Sequence, residues 1–86
     1  MNYRIEILKA LADETRLNII LNLLKKENSV LEIVSIVKKS QPNVSIGLKK
    51  LENVGLIAAR KEGKKVIYRI KDRARIMGIL EQIKHG

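Results

Sequence analysis

Residues 40–57 read SQPNVSIGLKKLENVGLI, and this stretch decides the fold of the 86-residue chain. Ser40 can cap a helix that begins at the next residue. Pro42 is tolerated in the first turn of that helix, where no intrahelical N–H bond is lost. Gly55 supplies a stop signal at the C-terminal end. The stretch therefore predicts a short helix over about residues 41–54.

Three further helices are predicted upstream of this segment. A first helix is expected over about residues 2–12, and Asp13 is a good N-cap for a second. Spacings of three and four predict that the second helix buries one stripe of apolar residues: Leu17, Ile20, Leu21 and Leu24. SVLE at residues 29–32 is a capping box for a short third helix. The residues of that helix expected to face inward are Leu31, Val34 and Val37.

The periodicity changes after Gly55. LIAARKE at residues 56–62 and KVIYRIK at residues 65–71 are short extended runs, and Gly63 between them predicts a hairpin. Asp72 then caps a last helix. The apolar stripe of that helix consists of Ile76, Ile79, Leu80 and Ile83. The order α-α-α-α-β-β-α is mainly α with a β-hairpin, and it predicts a winged helix-turn-helix because the third and fourth helices meet at a tight turn.

Length and composition limit the class of protein. A chain of 86 residues is expected to form one domain over residues 1–86, and an apolar content of 45% is typical of a folded protein. The chain has no cysteine, which excludes a disulfide framework and a thiolate metal site. No apolar run approaches the roughly 20 residues that a membrane span needs. These features predict a cytoplasmic protein with no membrane partner.

The net charge of +9 is concentrated in one part of the chain. Residues 38–75 carry twelve basic and three acidic side chains, whereas the charges of residues 1–37 and of residues 76–86 cancel. A surface that only keeps a protein soluble would spread this charge, so its concentration favours a footprint for a polyanion. We expect a nucleic acid rather than a membrane, because no helix combines a basic face with a broad apolar face that bears Trp or Phe.

The central helix carries the residues expected to read double-stranded DNA. On a wheel of 100° per residue, Val44, Leu48 and Leu51 form a buried seam and Ile46 lies opposite. Ile46 can pack on a thymine methyl in a major groove, or it can be an ordinary exposed apolar residue. Gly47 costs about 1 kcal/mol relative to alanine; it makes room for a DNA strand, makes room for a neighbouring helix, or is unselected. The candidate contacts are Gln41, Pro42, Asn43, Ser45, Ile46, Lys49 and Lys50.

The tip of the predicted hairpin is basic. The candidates for contact with the DNA backbone are Arg60, Lys61, Lys64 and Lys65. Basic side chains at a hairpin can also protect an exposed strand edge, so a second interpretation stays open. Their number around one Gly turn favours contact with phosphates over about residues 60–66.

Three segments together resemble one family of regulators. LKALADETRLNIILNLL at residues 8–24, the stretch at residues 40–57, and RKEGKKVIYRI at residues 60–70 are similar to the arsenic-repressor (ArsR) family of prokaryotic transcription regulators. The resemblance covers about residues 5–72. It implies a homodimer held by the first and last helices, a recognition helix in the major groove, and a wing on the backbone or in the minor groove. A repressor acting on a short pseudo-palindrome of the nucleoid DNA is therefore expected.

Many members of this family release DNA when a metal binds, but the ligands are incomplete in this chain. The positions of a family Cys-x-Cys pair fall on Ser29 and Leu31. At a second family site Asp72 and His85 match two ligands, whereas Ala74 replaces a histidine. Two of four ligands do not form a tetrahedral site, so we predict no metal and no cofactor. The sequence identifies no small-molecule effector.

The apolar stripe of the last helix needs a cover, which a second subunit or the subunit's own core can supply. The residues expected at a homodimer interface are Tyr3, Ile7, Ile76, Ile79, Leu80 and Ile83. Two other functions stay open, an architectural protein that binds nucleic acid without sequence preference and a winged-helix module that binds protein. We do not expect an enzyme, because one histidine, no cysteine and no paired carboxylates leave no catalytic constellation.

Overall fold

The computed structural model describes the backbone of residues 3–85 and the side chains of residues 4–82. The helices are α1 Tyr3–Leu11, α2 Glu14–Lys25, α3 Val30–Val37, α4 Gln41–Asn53 and α5 Arg73–His85. The strands are β1 Asn28–Ser29, β2 Ile57–Glu62 and β3 Lys65–Ile70. The predicted order of helices and hairpin is confirmed, and β1 is an additional strand. Among the described residues, no helix is long and apolar enough to cross a membrane.

The helix boundaries are fixed by local hydrogen bonds. Asp13, Ser29 and Ser40 each accept a hydrogen bond from the backbone N–H three residues later, at 3.0 to 3.3 Å. Glu32 completes the capping box of α3, because its carboxylate accepts from the N–H of Ser29 at 2.8 Å. The hydrogen bonds between Glu32 and Ser29 hold the pKa of Glu32 below its ordinary value. Gly55 ends α4 with a φ of 79°, a conformation that favours glycine.

The seam predicted for α4 forms the centre of the core. Val44, Leu48 and Leu51 are all buried, and they belong to one cluster with apolar residues of every other helix and of the sheet. Leu56 and Ile57 extend this cluster at the start of the hairpin. The core therefore fixes one side of α4 and leaves the opposite side at the surface.

The stripes predicted for α2 and α3 are partly wrong. In α2 Leu21 is 42% exposed, and the buried residues are Ile19, Ile20 and Leu23. In α3 Leu31 is 68% exposed, and Ile33 is the buried residue. Both helices carry apolar residues in more than one stripe of helical spacing, so the spacing alone does not determine which stripe meets the core. The other predicted residues are half-buried: Leu17, Leu24, Val34 and Val37.

The third strand joins the hairpin to the helix-turn-helix. The sheet is antiparallel with the order β1-β3-β2, and Asn28 and Ser29 lie opposite Tyr68 and Ile67. Ser29 is therefore both a strand residue and the cap of α3. Gly63 is the first residue of the two-residue hairpin turn and has a φ of 61°, the position where a II′ turn takes glycine.

The start of α5 is attached to the end of α2. Asp72 accepts a hydrogen bond from the N–H of Arg75 at 3.1 Å, which confirms the predicted cap. The Nη2 of Arg73 donates to the carbonyl of Leu24 at 2.8 Å, where α2 runs out of intrahelical donors. Ile76 is fully buried in the core. These contacts hold the first part of α5 against the body of the domain.

Candidate nucleic-acid interface

The structure brings the two predicted groups of DNA-contacting residues onto one surface. Ten of the eleven candidate side chains are exposed, and Arg60 is half-buried. A groove of about 490 Å³ runs between α4 and the hairpin, with Gln41 and Ser45 on one side and Lys64 and Lys65 on the other. The helix and the wing therefore form one continuous face.

The exposed face of α4 has two different borders. Gln41 and Ser45 border the groove beside the hairpin. Asn43 and Lys50 border a polar cleft of about 250 Å³ that α4 shares with the start of α2. Ile46 is 56% exposed and also lines that cleft. Polar and basic side chains thus surround one exposed apolar side chain in the part of α4 opposite the core.

Gly47 belongs to the packing of α4 and not to its exposed face. A Cβ atom at Gly47 would lie 3.4 Å from Cγ of Arg16 and 3.5 Å from Cδ1 of Ile19. Both neighbours belong to α2, and Gly47 itself is buried. Among the interpretations of this glycine, these contacts support close packing against a neighbouring helix.

The sequence did not reveal the role of Arg16. Its Nε donates to the carbonyl of Ala10 at 2.6 Å, and its Nη2 donates to the carbonyl of Lys9 at 3.3 Å. These carbonyls lie in the last turn of α1, where intrahelical donors are missing. Arg16 therefore links the end of α1 to α2 directly beside Gly47. A positive charge in the first turn of a helix is unfavourable to the helix dipole. The position of Arg16 in the first turn of α2 was therefore a signal in the sequence that this side chain has a partner elsewhere.

Arg60 is held by carboxylates. Its Nη1 donates to Glu27 at 2.9 Å, its Nη2 completes a two-pronged contact with the same carboxylate, and its Nε donates to Glu62 at 2.8 Å. The hydrogen bonds from Arg60 hold the pKa of Glu27 below its ordinary value. The carboxylates of Glu27 and Glu62 raise the pKa of Arg60 above its already high value. Arg60 thus ties the hairpin to the loop before β1, and its charge is compensated within the subunit.

The other wing cations differ from Arg60. Lys61, Lys64 and Lys65 are exposed, and none has a hydrogen bond or salt bridge to a residue in the described part of the chain. Alternation along β2 directs Lys61 to the face of the hairpin opposite Arg60. These three lysines therefore keep their positive charge available to a ligand at the tip of the wing, and Arg69 on β3 is a further exposed cation.

The residues predicted for a dimer interface fall into three groups. Ile7 and Ile76 are buried in the subunit's own core. Ile79 and Leu80 are half-buried against that core, and the side chains of Tyr3 and Ile83 lie outside the described residues. The two terminal helices share a groove of about 370 Å³. Apolar side chains remain exposed on both helices: Ile5, Leu8 and Met77.

The residues at the family metal positions have other partners where they are described. Ser29 caps α3 and Asp72 caps α5, and the side chain of His85 lies outside the described residues. Over side chains 4–82, no group of three or more His, Cys, Asp or Glu residues is placed to hold a metal ion.

A helix-turn-helix of α3 and α4, carried by α2 and followed by a β-hairpin wing, defines a winged helix-turn-helix domain. In such domains the second helix of the motif is the recognition helix, which lies in the major groove of DNA. Here that helix is α4, and its exposed side forms a basic face together with the wing. The chain belongs to the arsR family of bacterial regulatory proteins, because the sequence model of that family matches residues 13–59.

Individual relatives agree with this family. The HTH-type transcriptional repressor SmtB of Mycobacterium tuberculosis is 34% identical over 81 residues, which cover 94% of this chain and 60% of the relative. The arsenical resistance operon repressor of Escherichia coli is 43% identical over 67 residues, which cover 77% of this chain and 57% of the relative. This chain thus spans less than two thirds of either relative.

A solved structure is similar over nearly the whole chain. It is the homodimeric winged helix-turn-helix DNA-binding domain of a possible ArsR-family transcriptional regulator from Mycobacterium bovis. The TM-score is 0.86 at 29% sequence identity, and the match covers 98% of this chain and 80% of that domain. The predicted fold and the resemblance of the sequence to this family are both confirmed.

Proposed function

We propose that this chain is a sequence-specific transcription regulator, a repressor, that binds double-stranded DNA as a homodimer. The observation that carries this proposal is the face formed by the exposed side of α4 and three exposed wing lysines that form no salt bridge within the described residues. That face lies within residues 38–75, which hold the entire net charge. The protein acts without catalysis on nucleoid DNA in the cytoplasm.

The two parts of the face have different tasks. The N-terminal end of a recognition helix usually reaches the base edges, so Gln41, Asn43 and Ser45 are assigned to reading sequence in the major groove. Ile46 packs on a thymine methyl, a contact that only an apolar side chain makes well. Lys64 and Lys65 meet phosphates along the backbone or the minor groove and supply affinity for any sequence. Arg60 contributes to the position of the wing.

Dimer formation is assigned to α1 and α5. A domain of this size buries only about 60–65% of the surface of its unfolded chain, so a partner subunit adds needed stability. Ile5, Leu8 and Met77 are exposed on these helices, and Ile79 and Leu80 are only half-buried. Ile7 and Ile76 support this surface from inside the core, and Tyr3 and Ile83 remain predicted members. Two subunits would then place two copies of α4 about 34–36 Å apart, one turn of DNA.

The test of this proposal is a fluorescence anisotropy titration at about 150 mM salt. The DNA upstream of the protein's own gene is compared with a shuffled duplex of equal length. A preference of about a thousandfold for the native duplex is expected of a specific regulator. Equal and strongly salt-dependent binding would identify an architectural protein instead, and absence of binding to both would contradict the assignment of a DNA surface.

Variants separate the two tasks of the face. Removing Lys64 and Lys65 together by alanine substitution should weaken all sequences alike and lower the slope of log K against log salt by about 1.8. Ile46→Ala should instead change the ranking of sequences that differ at a thymine. A double variant at Lys9 and Lys25 removes the same charge from α1 and α2 and should leave the salt slope unchanged. If Ile46→Ala affects every sequence equally, the thymine contact is wrong.

A further inference from the structure

Two exposed apolar side chains lie in the groove between α4 and the wing. Leu31 in the first turn of α3 is 68% exposed, and Val66 on β3 is 37% exposed. Both line the same groove of about 490 Å³, together with Lys64, Lys65 and Ser45. A single exposed leucine is ordinary. Here two apolar residues from different elements lie in one groove that lysines border, so the groove combines an apolar surface with positive charge.

The position of this apolar surface follows from the architecture of the hairpin. Side chains alternate along β3, so Val66 shares a face with Tyr68 and Ile70. Tyr68 and Ile70 pack against the core, whereas Val66 extends past its edge toward the tip. Leu31 stays at the surface of α3 because Ile33 occupies the inward position of that helix. The groove is therefore an outward continuation of the core-facing side of the wing.

We propose that this groove holds the deoxyribose-phosphate backbone of one DNA strand, with Leu31 and Val66 packed against deoxyribose. This inference rests on the proposed function and adds α3 to the contact surface. A DNA strand presents apolar C–H surface on each sugar between charged phosphates. The groove presents the matching chemistry, because its apolar side chains are bordered by the ammonium groups of Lys64 and Lys65.

The path of the strand follows from the borders of the groove. Gln41 and Ser45 line it, and both lie at the end of α4 assigned to base edges. A strand whose bases meet that end of α4 continues directly between α3 and the wing. Glu32 is the carboxylate in the lining, and it accepts a hydrogen bond from the N–H of Ser29 at 2.8 Å. Its charge is thus directed toward the first turn of α3.

The test uses neutral substitutions, because loss of a sugar contact and loss of a phosphate contact then differ in salt dependence. Leu31→Ala should weaken binding to specific and shuffled DNA alike by about fivefold, from the apolar area no longer covered. The salt slope should stay unchanged since no charge is removed. Val66→Thr keeps the shape and branching of the side chain and should show the same pattern with a smaller loss. Leu31→Met keeps the apolar volume and should bind like the natural protein.

The matched control is Ile36→Ala. Ile36 is 42% exposed on the same helix, points about 140° away from Leu31 on the helical wheel, and does not line the groove. Its substitution should leave affinity unchanged. Hydroxyl-radical footprinting gives a direct second readout, because sugars covered by the groove should become cleavable with Leu31→Ala and stay protected with Ile36→Ala.

Each outcome supports or overturns the inference. If the Leu31 and Val66 variants bind as the natural protein does while removal of Lys64 and Lys65 weakens binding, the strand does not occupy the groove and the proposed function stands. If the lysine variant also has no effect, the DNA-binding face itself is wrong. A Leu31 variant that changes only the ranking of sequences would place Leu31 at a base and contradict the sugar contact.

Discussion

Replacing Gly47 with alanine tests the packing of α4 against α2. Inside a helix this substitution favours folding by about 1 kcal/mol, because glycine loses more backbone entropy on folding. The new methyl group would lie 3.4 Å from Arg16 and 3.5 Å from Ile19, at the close end of ordinary van der Waals contact. No repulsion is therefore expected to offset the gain. The free energy of unfolding should rise by about 1 kcal/mol, which raises Tm by about 4–8 °C in a domain of this size.

Thermal unfolding followed by circular dichroism measures this change, and Gly78→Ala is the matched control. Gly78 lies within α5, and outside its two chain neighbours and the surrounding backbone of α5 no heavy atom of the described residues lies within 4 Å of a Cβ placed on it. It therefore reports helix propensity without a packing contact. Because α5 belongs to the proposed dimer surface, both variants should be melted at several protein concentrations. A larger side chain, Gly47→Leu, should overpack the contact with α2 and lower Tm.

DNA affinity gives an independent test of this interpretation of the glycine. If Gly47 only admits α2, Gly47→Ala should bind DNA within about twofold of the natural protein, well under 1 kcal/mol. A stable Gly47→Ala variant that has lost about tenfold in affinity would show that a DNA strand approaches this backbone, and the packing argument would be refuted. Destabilisation by Gly47→Ala, together with stabilisation by Gly78→Ala, would show that α2 and α4 lie closer than these distances.

Other substitutions test the remaining contacts. Glu27→Gln weakens the contact that holds Arg60, so Arg60 becomes available to a DNA phosphate. Titrations at several salt concentrations should then show a salt slope of DNA binding that is steeper by up to about 0.9. An unchanged slope would mean that Arg60 never meets a phosphate. The lowered pKa of Glu32 means that its contribution to stability is present above its ordinary value of 4.5 and is lost as pH falls through the lowered pKa. Glu32→Gln keeps the capping box and should flatten the acid dependence of the urea midpoint, whereas an equally steep dependence would assign it to other carboxylates. Met77→Glu should convert dimer to monomer in sedimentation velocity, and Leu21→Glu, at a similarly exposed site on α2, should not; a dimer that survives Met77→Glu would place the interface elsewhere.

Local signals in the sequence were sufficient for the caps and turns. Asp13, Ser29 and Ser40 act within three residues of their own positions, so their neighbours in the chain determine the result. Gly55 and Gly63 were likewise predicted from conformations that other residues rarely adopt. The α4 seam was predicted correctly because α4 has a single apolar stripe, and the residues on its other side are polar or charged apart from Pro42 and Ile46.

Features that depend on distant partners were not predictable in the same way. In α3, Leu31 and Ile33 each belong to a stripe of apolar residues with helical spacing. Only the placement of α4 and the sheet determines that Ile33 is the buried one. The contact of Arg60 with Glu27 was not predicted, because Glu27 lies 33 residues away in the chain, and contact of Arg60 with DNA stays a prediction. The two-residue strand β1 is too short to show a periodicity, and its pairing with β3 is likewise long-range.

The chain passes from β1 into α3 with no residue between them, since Ser29 ends the strand and Val30 begins the helix. A hinge at this point would have to break both the strand pairing and the capping box. Movement of the wing relative to the helix-turn-helix would therefore cost these hydrogen bonds, which favours one distance between the wing and α4. In the proposed complex the subunit would hold α4 and the wing at a fixed separation. The protein would then prefer duplexes whose groove width and curvature match that separation, even at base pairs that no side chain touches.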